Sequence, residues 1–448
     1  MVFSLAFSYC GQTILSMGPN QKTKAVEQQA SEETIFSLDE NKMDEQGLVY
    51  TLNSRTQTAT VSGQEILSEG EIRIPEKVEM DGAKYTVVGI SSTALKDCLY
   101  VTSLVVGDFV TSFRMSSLEN SGCKKLYLGK AVKKIETSGV LIKKLCEIQV
   151  WPLNPYYTAE EGIVYDSSKS TVICCPQGLI LNHTLCLPES VKIIGQYAFW
   201  NSLLQSIDLS HVVEIKQAAF NHSALLEADL RNCRKIGLWS FETNQLNNVR
   251  FRERTELATS SFSYGLNADG IYLPAGMSGV SASGLPGSSS CLIAGANITS
   301  SEKVWGSLEQ VSIQDGVTVM DRSLIDGRNT VDKIYIPSSV TTFTEEASAQ
   351  EQQWNGIIYG ASGSAAESFA AQLGKEFVVH GEEDHQWHHG TYWENDTIHY
   401  EGDICEICGH VKNVSVLWGE ETEEPERPVD TVSELDESNR DTQGILMN

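Results

Sequence analysis

The sequence is short of basic residues and has no long apolar segment. Of its 448 residues, 33 are Lys or Arg and 59 are Asp or Glu, which gives a formal net charge of −26 at pH 7. A chain this acidic repels the phosphates of nucleic acids and anionic membrane surfaces, so neither is expected as a partner. Its interior contains no apolar run of about 18 residues, so the sequence predicts no transmembrane segment.

Familiar catalytic motifs are missing from the sequence as well. It contains no Walker loop, no dinucleotide fingerprint and no His-Glu-x-x-His motif. The Gly/Ser segment 360–364 lacks the Gly-x-Ser-x-Gly spacing of a nucleophile elbow. Pairs of carboxylates are abundant because the whole chain is acidic, so they do not indicate a site. The sequence therefore predicts a protein that is not an enzyme.

What the chain does contain is a repeat of constant length. Phe199, Phe220, Phe241 and Phe262 follow one another at intervals of 21 residues, each preceded by Ala or Ser. Two further apolar series keep nearly the same spacing: Ile194, Ile215, Ile236 and Leu257, and Leu187, Leu209, Leu230 and Phe251. A fixed period of this length is typical of a solenoid, in which stacked units bury one continuous core.

Each unit has a recognisable local pattern. Residues 206–210 alternate between polar and apolar, which places Ile207 and Leu209 on one face and predicts a half-buried β-strand. Residues 217–220 predict a helical or 3₁₀ turn. Looser units, 22 to 23 residues apart, extend the pattern in both directions. The predicted fold is therefore a repeat solenoid of short parallel β-strands and short helical or 3₁₀ turns, with a period of about 21–23 residues.

The repeats resemble BspA-like leucine-rich repeats. The resemblance is carried by Leu187–Phe199 and Ile334–Val340, and residues 161–178 resemble the hairpin insertion common in that family. Segments 47–75 and 358–378 resemble the family's usual N-terminal module and its final turn. The resemblance covers roughly residues 46 to 380, and it implies a surface-exposed adhesion or ligand-binding protein without catalysis.

These features predict five segments along the chain. In order, they are a leader and linker (1–45), a β-rich N-terminal module (46–85), the leucine-rich repeat solenoid with a hairpin insertion near 154–178 (86–380), a small His/Cys module (381–416) and an acidic disordered tail (417–448). Within the solenoid, the Gly/Ser-rich stretch 278–301 fits either a degenerate repeat or a bulging loop.

The first residues bear on where the protein is located. Residues 2–10 look like the apolar stretch of a secretion signal, but no Lys or Arg precedes them and no small-x-small cleavage site follows. Both an incomplete signal peptide and a disordered N-terminal end fit this pattern. Together with the resemblance, the first alternative predicts a secreted or cell-surface protein.

The most distinctive chemistry follows the repeats, between residues 380 and 410. This segment holds His380, His385, His388, His389, His399 and His410, together with the pair Cys405-x-x-Cys408. The two thiols, His385 and one of the other imidazoles could form a tetrahedral zinc site. A local disulfide and two unpaired thiols are equally consistent alternatives. A structural zinc ion is thus the only cofactor that the sequence suggests.

The solenoid pattern also predicts a candidate binding surface. If Ile207, Leu209, Leu230 and Phe251 point inward, their neighbours point outward and stack into a ladder about 5 Å apart. The candidate binding residues in this ladder are Asp208, Asp229, Arg250, Arg252 and Tyr272. A plain solvated face with paired charges is the alternative.

Two functions are consistent with such a surface. In the first, the solenoid binds host or neighbouring macromolecules, with an extracellular protein or glycan as its partner. In the second, the chain is a structural spacer within a larger exported protein. The absence of a catalytic motif disfavours a third, enzymatic class.

Overall fold

A computed structural model describes residues 42–65, 70–258, 260–299, 305–344, 351–395 and 398–418. All of them belong to one compact unit. Residues 1–41 of the predicted leader and 419–448 of the predicted acidic tail lie outside the described residues. No described helix is long and apolar enough to cross a membrane.

The N-terminal module is built around a five-stranded sheet. The first strands are β1 (Lys42–Met43), β2 (Leu48–Asn53), β3 (Thr58–Gln64), β4 (Gly70–Arg73), β5 (Lys77–Met80) and β6 (Ala83–Ile90). The sheet has the order β1-β2-β3-β6-β5, whereas β4 pairs in parallel with the first solenoid strand. The sheet therefore extends five residues beyond the predicted end of this module, and β4 joins the module to the repeats.

The solenoid begins with repeats interrupted by an insertion. Its strands here are β7 (Val101–Val105), β8 (Ser112–Arg114), β9 (Lys125–Leu128), β10 (Lys134–Glu136), β11 (Glu147–Val150), β12 (Tyr157–Glu160), β13 (Ile163–Asp166) and β14 (Thr171–Cys174). Strands β12, β13 and β14 form an antiparallel meander in the predicted insertion. Because β14 then pairs in parallel with the next repeat, the insertion continues the solenoid.

The regular repeats follow, each with two short strands. They are β15 (Leu185–Cys186), β16 (Ile193–Ile194), β17 (Ile207–Asp208), β18 (Glu214–Ile215), β19 (Glu227–Leu230), β20 (Lys235–Ile236), β21 (Asn248–Phe251) and β22 (Glu256–Leu257). Residues of one predicted series pair directly with each other, as Ile194 does with Ile215 and Ile215 with Ile236. The predicted fold class, a solenoid of stacked parallel strands, is confirmed.

The last repeats contain the single α-helix of the described residues. Their elements are β23 (Gly270–Leu273), β24 (Cys291–Ala294), β25 (Gln310–Ile313), β26 (Val319–Met320), β27 (Lys333–Tyr335), β28 (Thr342–Phe343), β29 (Ile357–Gly360), α1 (Ala365–Leu373) and β30 (Phe377–Val379). Strand β24 pairs in parallel with both β23 and β25, so the stretch 278–301 contains a strand of a true repeat.

Short 3₁₀ helices lie between strands in the less regular units and after β30. They are Met115–Leu118, Ala282–Gly284, Arg322–Ile325, Glu351–Gln353 and Glu382–Asp384. The described residues end in a three-stranded antiparallel sheet, the C-terminal sheet, made of β31 (Trp387–Glu394), β32 (Ile398–Cys405) and β33 (Val411–Trp418).

A column of stacked phenylalanine rings forms the centre of the regular repeats. The ring centroids of Phe199 and Phe220 are 4.9 Å apart, those of Phe220 and Phe241 5.1 Å, and those of Phe241 and Phe262 4.9 Å. All four side chains are at most 2% exposed. The 21-residue spacing therefore arises because the rings of successive units pack on one another. Such aromatic pairs contribute stability beyond that of their buried area.

Tight turns on either side of each core phenylalanine direct its ring into the core. Residues with positive φ recur in two series, Tyr197, Ala218, Trp239 and Ser260, and Asn201, His222, Thr243 and Tyr264, with φ between 54° and 58° except 52° at Ala218. This backbone conformation costs an L-residue about 1–2 kcal/mol and stops a helix from continuing. In return, N–H groups in the turn reach carbonyls of the next unit, as from Phe220 to Ser240.

Candidate binding face and metal centre

Two ladders of strands run along the solenoid, and the predicted binding residues lie on the one called here the main ladder. Its strands from the regular repeats onward are β15, β17, β19, β21, β23, β24, β25, β27, β29 and β30. In β19 and β21, Leu230 and Phe251 are buried while the paired Asp229 and Arg250 are partly exposed. The alternation predicted from sequence therefore places both charges on the outward side.

The regular repeats leave this outward side accessible, and we call it the open face: Asp208, Asp229, Arg231, Arg250 and Arg252. All five side chains are at least partly exposed. Arg231 forms a forked ion pair with Asp229, with an Nη2–Oδ2 distance of 2.6 Å. Asp208 accepts a hydrogen bond from the backbone N–H of Ser210 at 2.8 Å. The open face thus has both charges, with the arginines at its C-terminal end.

The remainder of the ladder is covered by the chain itself. Its outward residues Tyr272, Ile293, Ser312 and Tyr335, called here the covered face, lie under the C-terminal sheet; the last three are at most 1% exposed. Tyr272 packs against the cluster that contains Ile293, Ile398 and Tyr400. Burial, followed by the nearby carboxylate of Glu253, raises the pKa of Tyr272. Tyr272 is thus partly covered by the C-terminal sheet but stays partly exposed, and its role in binding together with Asp208 and Arg250 remains a prediction.

Close packing and specific hydrogen bonds hold the C-terminal sheet on the covered face. A Cβ added to Gly270 would lie 2.8 Å from the ring of Trp393, so glycine permits the contact. Ser312 accepts a hydrogen bond from the backbone N–H of Val411 at 3.0 Å, and its hydroxyl lies 3.2 Å from Nδ1 of His410. Both Ser312 and His410 are buried, so the interface is closed to solvent.

A second group of contacts surrounds the Cys-x-x-Cys turn. Lys333 of β27 donates hydrogen bonds to the backbone carbonyls of Glu406 and Ile407 at 3.0 and 3.3 Å. Gln314 donates one to the carbonyl of Val411 at 2.7 Å. The small His/Cys module is therefore docked on the solenoid by side chains of several repeats.

The sequence of β24 carries a signal of this cover. Cys291-Leu292-Ile293-Ala294 is apolar at every position, and all four residues are buried. A strand buried on both faces gives a continuous apolar run, whereas a strand with one solvated face alternates. The loss of alternation in β24 thus marks the place where another part of the chain covers the ladder.

A groove lies at the border between the open and covered faces. It has a cavity volume of about 170 Å³ and is lined by Arg231, Val249, Arg250, Phe251, Tyr272 and Val416. The arginines come from the open face, and Val416 comes from the C-terminal sheet. The groove therefore combines positive charge with apolar walls beside the contact between the solenoid and the C-terminal sheet.

The His/Cys cluster lies where the solenoid meets the C-terminal sheet. His380 directly follows β30, and its backbone N–H binds the carbonyl of Gly360 at 2.8 Å. His385 follows the 3₁₀ helix Glu382–Asp384, Cys405 ends β32, and Cys408 lies in the turn before β33. Gly409, with φ of 75°, closes that turn by donating to the carbonyl of Cys405 at 2.9 Å.

The fold brings four potential ligand atoms together. The side-chain donor atoms of His380, His385, Cys405 and Cys408 all lie within 4.8 Å of one another. Sγ of Cys405 is 3.7 Å from Nε2 of His380, and Sγ of Cys408 is 3.5 Å from Nδ1 of His385. His385, Cys405 and Cys408 are the three residues singled out from the sequence, and the structure selects His380 from the five remaining candidates.

The other four histidines of the segment have different partners. His388 and His389 lie near Glu406 and Asp403, at N–O distances of 3.6 and 3.3 Å. His399 lies 2.9 Å from both Glu394 and Glu401. His410 contacts Ser312, as described above. These imidazoles are therefore not part of the four-residue cluster.

The cluster lies in an aromatic environment. Tyr335 and Trp387 pack on His385 with ring centroids 4.6 and 4.5 Å away, and burial lowers the pKa of His385 to about 4. Burial raises the pKa of Cys408 to about 12. Burial acts in the same direction on Cys405, but hydrogen bonds from backbone N–H groups outweigh it and lower the pKa of this thiol. The two thiols of one turn thus differ in acidity.

The fold defines the class of protein as a parallel β-solenoid of the leucine-rich repeat type. Residues 177–283 match the model of the BspA type leucine rich repeat region in six copies. The chain therefore carries BspA-type leucine-rich repeats, and the resemblance predicted from its sequence is confirmed. This type of repeat forms extended surfaces that serve in binding.

Solved bacterial leucine-rich repeat proteins are similar to this chain. One from Bacteroides ovatus is 16% identical, with 77% of this chain and 91% of that chain covered and a TM-score of 0.46. One from Eubacterium ventriosum is 16% identical, with 68% and 92% covered and a TM-score of 0.38. The pneumococcal vaccine antigen PcpA is 13% identical, with 76% and 98% covered and a TM-score of 0.37. Among curated proteins, none matches.

Proposed function

We propose that the protein is a non-catalytic interaction protein, secreted or on the cell surface, whose open face binds an extracellular protein. One observation carries the proposal: the adjoining part of the same ladder already binds a β-sheet, the chain's own. The main ladder is thus a surface on which polypeptide packs. The open face adjoins that surface, because β21 lies next to β23, and no described segment of the chain lies on it.

The composition of the open face suggests the kind of partner. Arg231 and Arg250 line the groove and Arg252 follows directly after β21. Arginine is enriched among residues that dominate binding energy at interfaces. A carboxylate of the partner would meet the guanidinium groups of Arg250 and Arg252, and an apolar side chain would enter the groove next to Phe251 and Val416. The preferred partner is therefore an acidic protein segment with an apolar anchor.

Charge reversal tests this function. The double variant Arg250→Glu and Arg252→Glu should retain the fold, because both side chains are partly exposed and charges at the surface contribute little to stability. Attachment of the labelled protein to cultured epithelial cells and to immobilised matrix proteins should weaken at least about tenfold, since like charges then face each other. The matched control reverses Arg234 and Lys235, two exposed cations at β20 in the second ladder of strands (β16, β18, β20 and β22), with the same change in net charge.

Three outcomes separate the alternatives. The proposal is supported if the open-face variant attaches more weakly, the control variant attaches like the parent chain, and the circular dichroism spectrum of both is unchanged. If enzymatic removal of glycans from the target abolishes attachment, the partner is a glycan and the protein assignment is wrong. Equal attachment of both reversals and the parent chain would place binding elsewhere and favour a structural spacer.

A further inference from the structure

The four-residue cluster has the dimensions of a tetrahedral zinc site. With Zn–S bonds of about 2.3 Å and Zn–N bonds of about 2.0–2.1 Å, a regular tetrahedron has S–N edges of about 3.6 Å. The observed S–N separations are 3.7 Å for Cys405 and His380 and 3.5 Å for Cys408 and His385. All remaining donor separations are within 4.8 Å. Small side-chain adjustments therefore suffice to bring the four donors to one ion.

The type of donor selects the metal. Two thiolates and two imidazoles suit zinc, whereas calcium and magnesium require oxygen ligands. The carboxylates nearest in sequence do not join the set: the four donors of the cluster are nitrogen and sulfur. With two thiols deprotonated on binding, Zn²⁺ and its ligands form a neutral centre, which is suited to a buried position.

The surroundings indicate a structural role for the ion. Cys405, Cys408 and His380 are at most 4% exposed, and Tyr335, Tyr359 and Trp387 pack around the cluster. Four protein donors fill a tetrahedral coordination sphere and leave no position for substrate or water. Lys333 additionally holds the Cys-x-x-Cys turn by its two backbone carbonyls.

We propose that His380, His385, Cys405 and Cys408 bind one zinc ion that locks the C-terminal sheet onto the covered face. The ligands come from both sides of this contact: His380 follows the last solenoid strand, Cys405 ends β32 of the C-terminal sheet, and Cys408 lies in the turn between β32 and β33. One ion therefore joins two parts of the chain that otherwise meet through packing. Removing the ion loosens the sheet and exposes Tyr272, Ile293 and Tyr335. This inference does not depend on what the open face binds.

Metal content of the full chain, purified without chelator, is the first test. We expect about one zinc per chain, and tight Co²⁺ substitution with sulfur-to-cobalt charge-transfer absorption. Cys405→Ser and His380→Gln should each lower zinc affinity by at least about tenfold, because even outer-shell changes cost about 10–100-fold. The matched controls are Cys233→Ser, a buried thiol in the solenoid, and His388→Gln, an exposed imidazole of the same sheet; both should retain zinc.

Several results would overturn the site. Zinc at background level in the parent chain, or equal zinc in Cys405→Ser and Cys233→Ser, contradicts it. The site is also contradicted if mass spectrometry of the intact native protein finds no metal and shows a Cys405–Cys408 disulfide. If Cys405→Ser does not fold, the zinc content of His380→Gln decides between the outcomes. That substitution keeps both thiols and leaves a polar side chain at position 380.

The locking role has its own measurement. Hydrogen exchange of the zinc-loaded and chelator-treated full chain should differ most in β32, β33 and the covered strands β23 to β25. The phenylalanine repeats should remain equally protected in both states. Unchanged exchange in β32 after verified zinc removal would show a bound ion that does not lock the sheet, and would overturn this part of the proposal.

Discussion

The open and covered faces belong to the same ladder, with the same parallel strands and the same alternation of inward and outward residues. On the open face the outward residues are charged, as at Asp229 and Arg250, and remain partly exposed. On the covered face they are Tyr272, Ile293 and Ser312, which pair in register and lie beneath the C-terminal sheet. The comparison shows that the polarity of outward side chains on this solenoid depends on whether another part of the chain covers them.

The two faces therefore differ in what their outward side chains do for stability. Ile293 is fully buried on the outward side of its strand, so it contributes to a core shared with Ile398 and Tyr400. Asp229 forms a surface ion pair with Arg231, whose side chain is 58% exposed. Such pairs contribute about 0–1 kcal/mol, whereas a buried aliphatic side chain contributes several times more.

The largest expected effect lies in the core that supports the open face. Phe220→Ala should lower the free energy of unfolding by about 3–5 kcal/mol, because a cavity opens between Phe199 and Phe241. The matched control is Tyr264→Ala, an aromatic residue 87% exposed in the same region, which should change stability by about 0.5 kcal/mol or less. Urea unfolding measures both, and equal effects would contradict the stacked core beneath the open face.

A direct test of the comparison replaces one outward residue on each face. Ile293→Ala should cost about 2–5 kcal/mol, since it removes a fully buried side chain between the ladder and the C-terminal sheet. Asp229→Ala should cost about 1 kcal/mol or less. Chemical unfolding of the two variants gives the difference. Similar costs for both would mean that the covered face is not closed as the structure shows.

A smaller effect is expected from filling the contact at Gly270. Gly270→Ala places a methyl group 2.8 Å from Trp393 and 3.1 Å from Tyr400. Overpacking of this kind costs about 1–3 kcal/mol, and the indole should move toward solvent. Gly284→Ala is the control, because a Cβ there meets no atom within 4 Å. Unfolding and tryptophan fluorescence are the measurements, and an unchanged spectrum of Gly270→Ala would argue against tight docking of the sheet.

Much of the site could be found by sequence reasoning because its residues are close along the chain or recur with the repeat. His385, Cys405 and Cys408 fall within one short segment, and Asp229 and Arg250 occupy equivalent positions of two units. The choice of His380 over His388 or His410 could not be made this way. That choice depends on the tertiary contact between the end of β30 and the turn after β32, two elements that are separated in sequence.

The sequence by itself determined the period, the inward series of Ile and Phe residues, and the strand faces, because each follows from local alternation and from stacking of equivalent positions. Only the tertiary structure decided that Ile293 and Ser312 are covered while Arg250 is partly exposed. The C-terminal sheet contacts repeats that precede it by about 100 residues, as Val411 does with Ser312. No periodicity encodes where such a segment docks, since packing between distant surfaces depends on their combined shape and polarity.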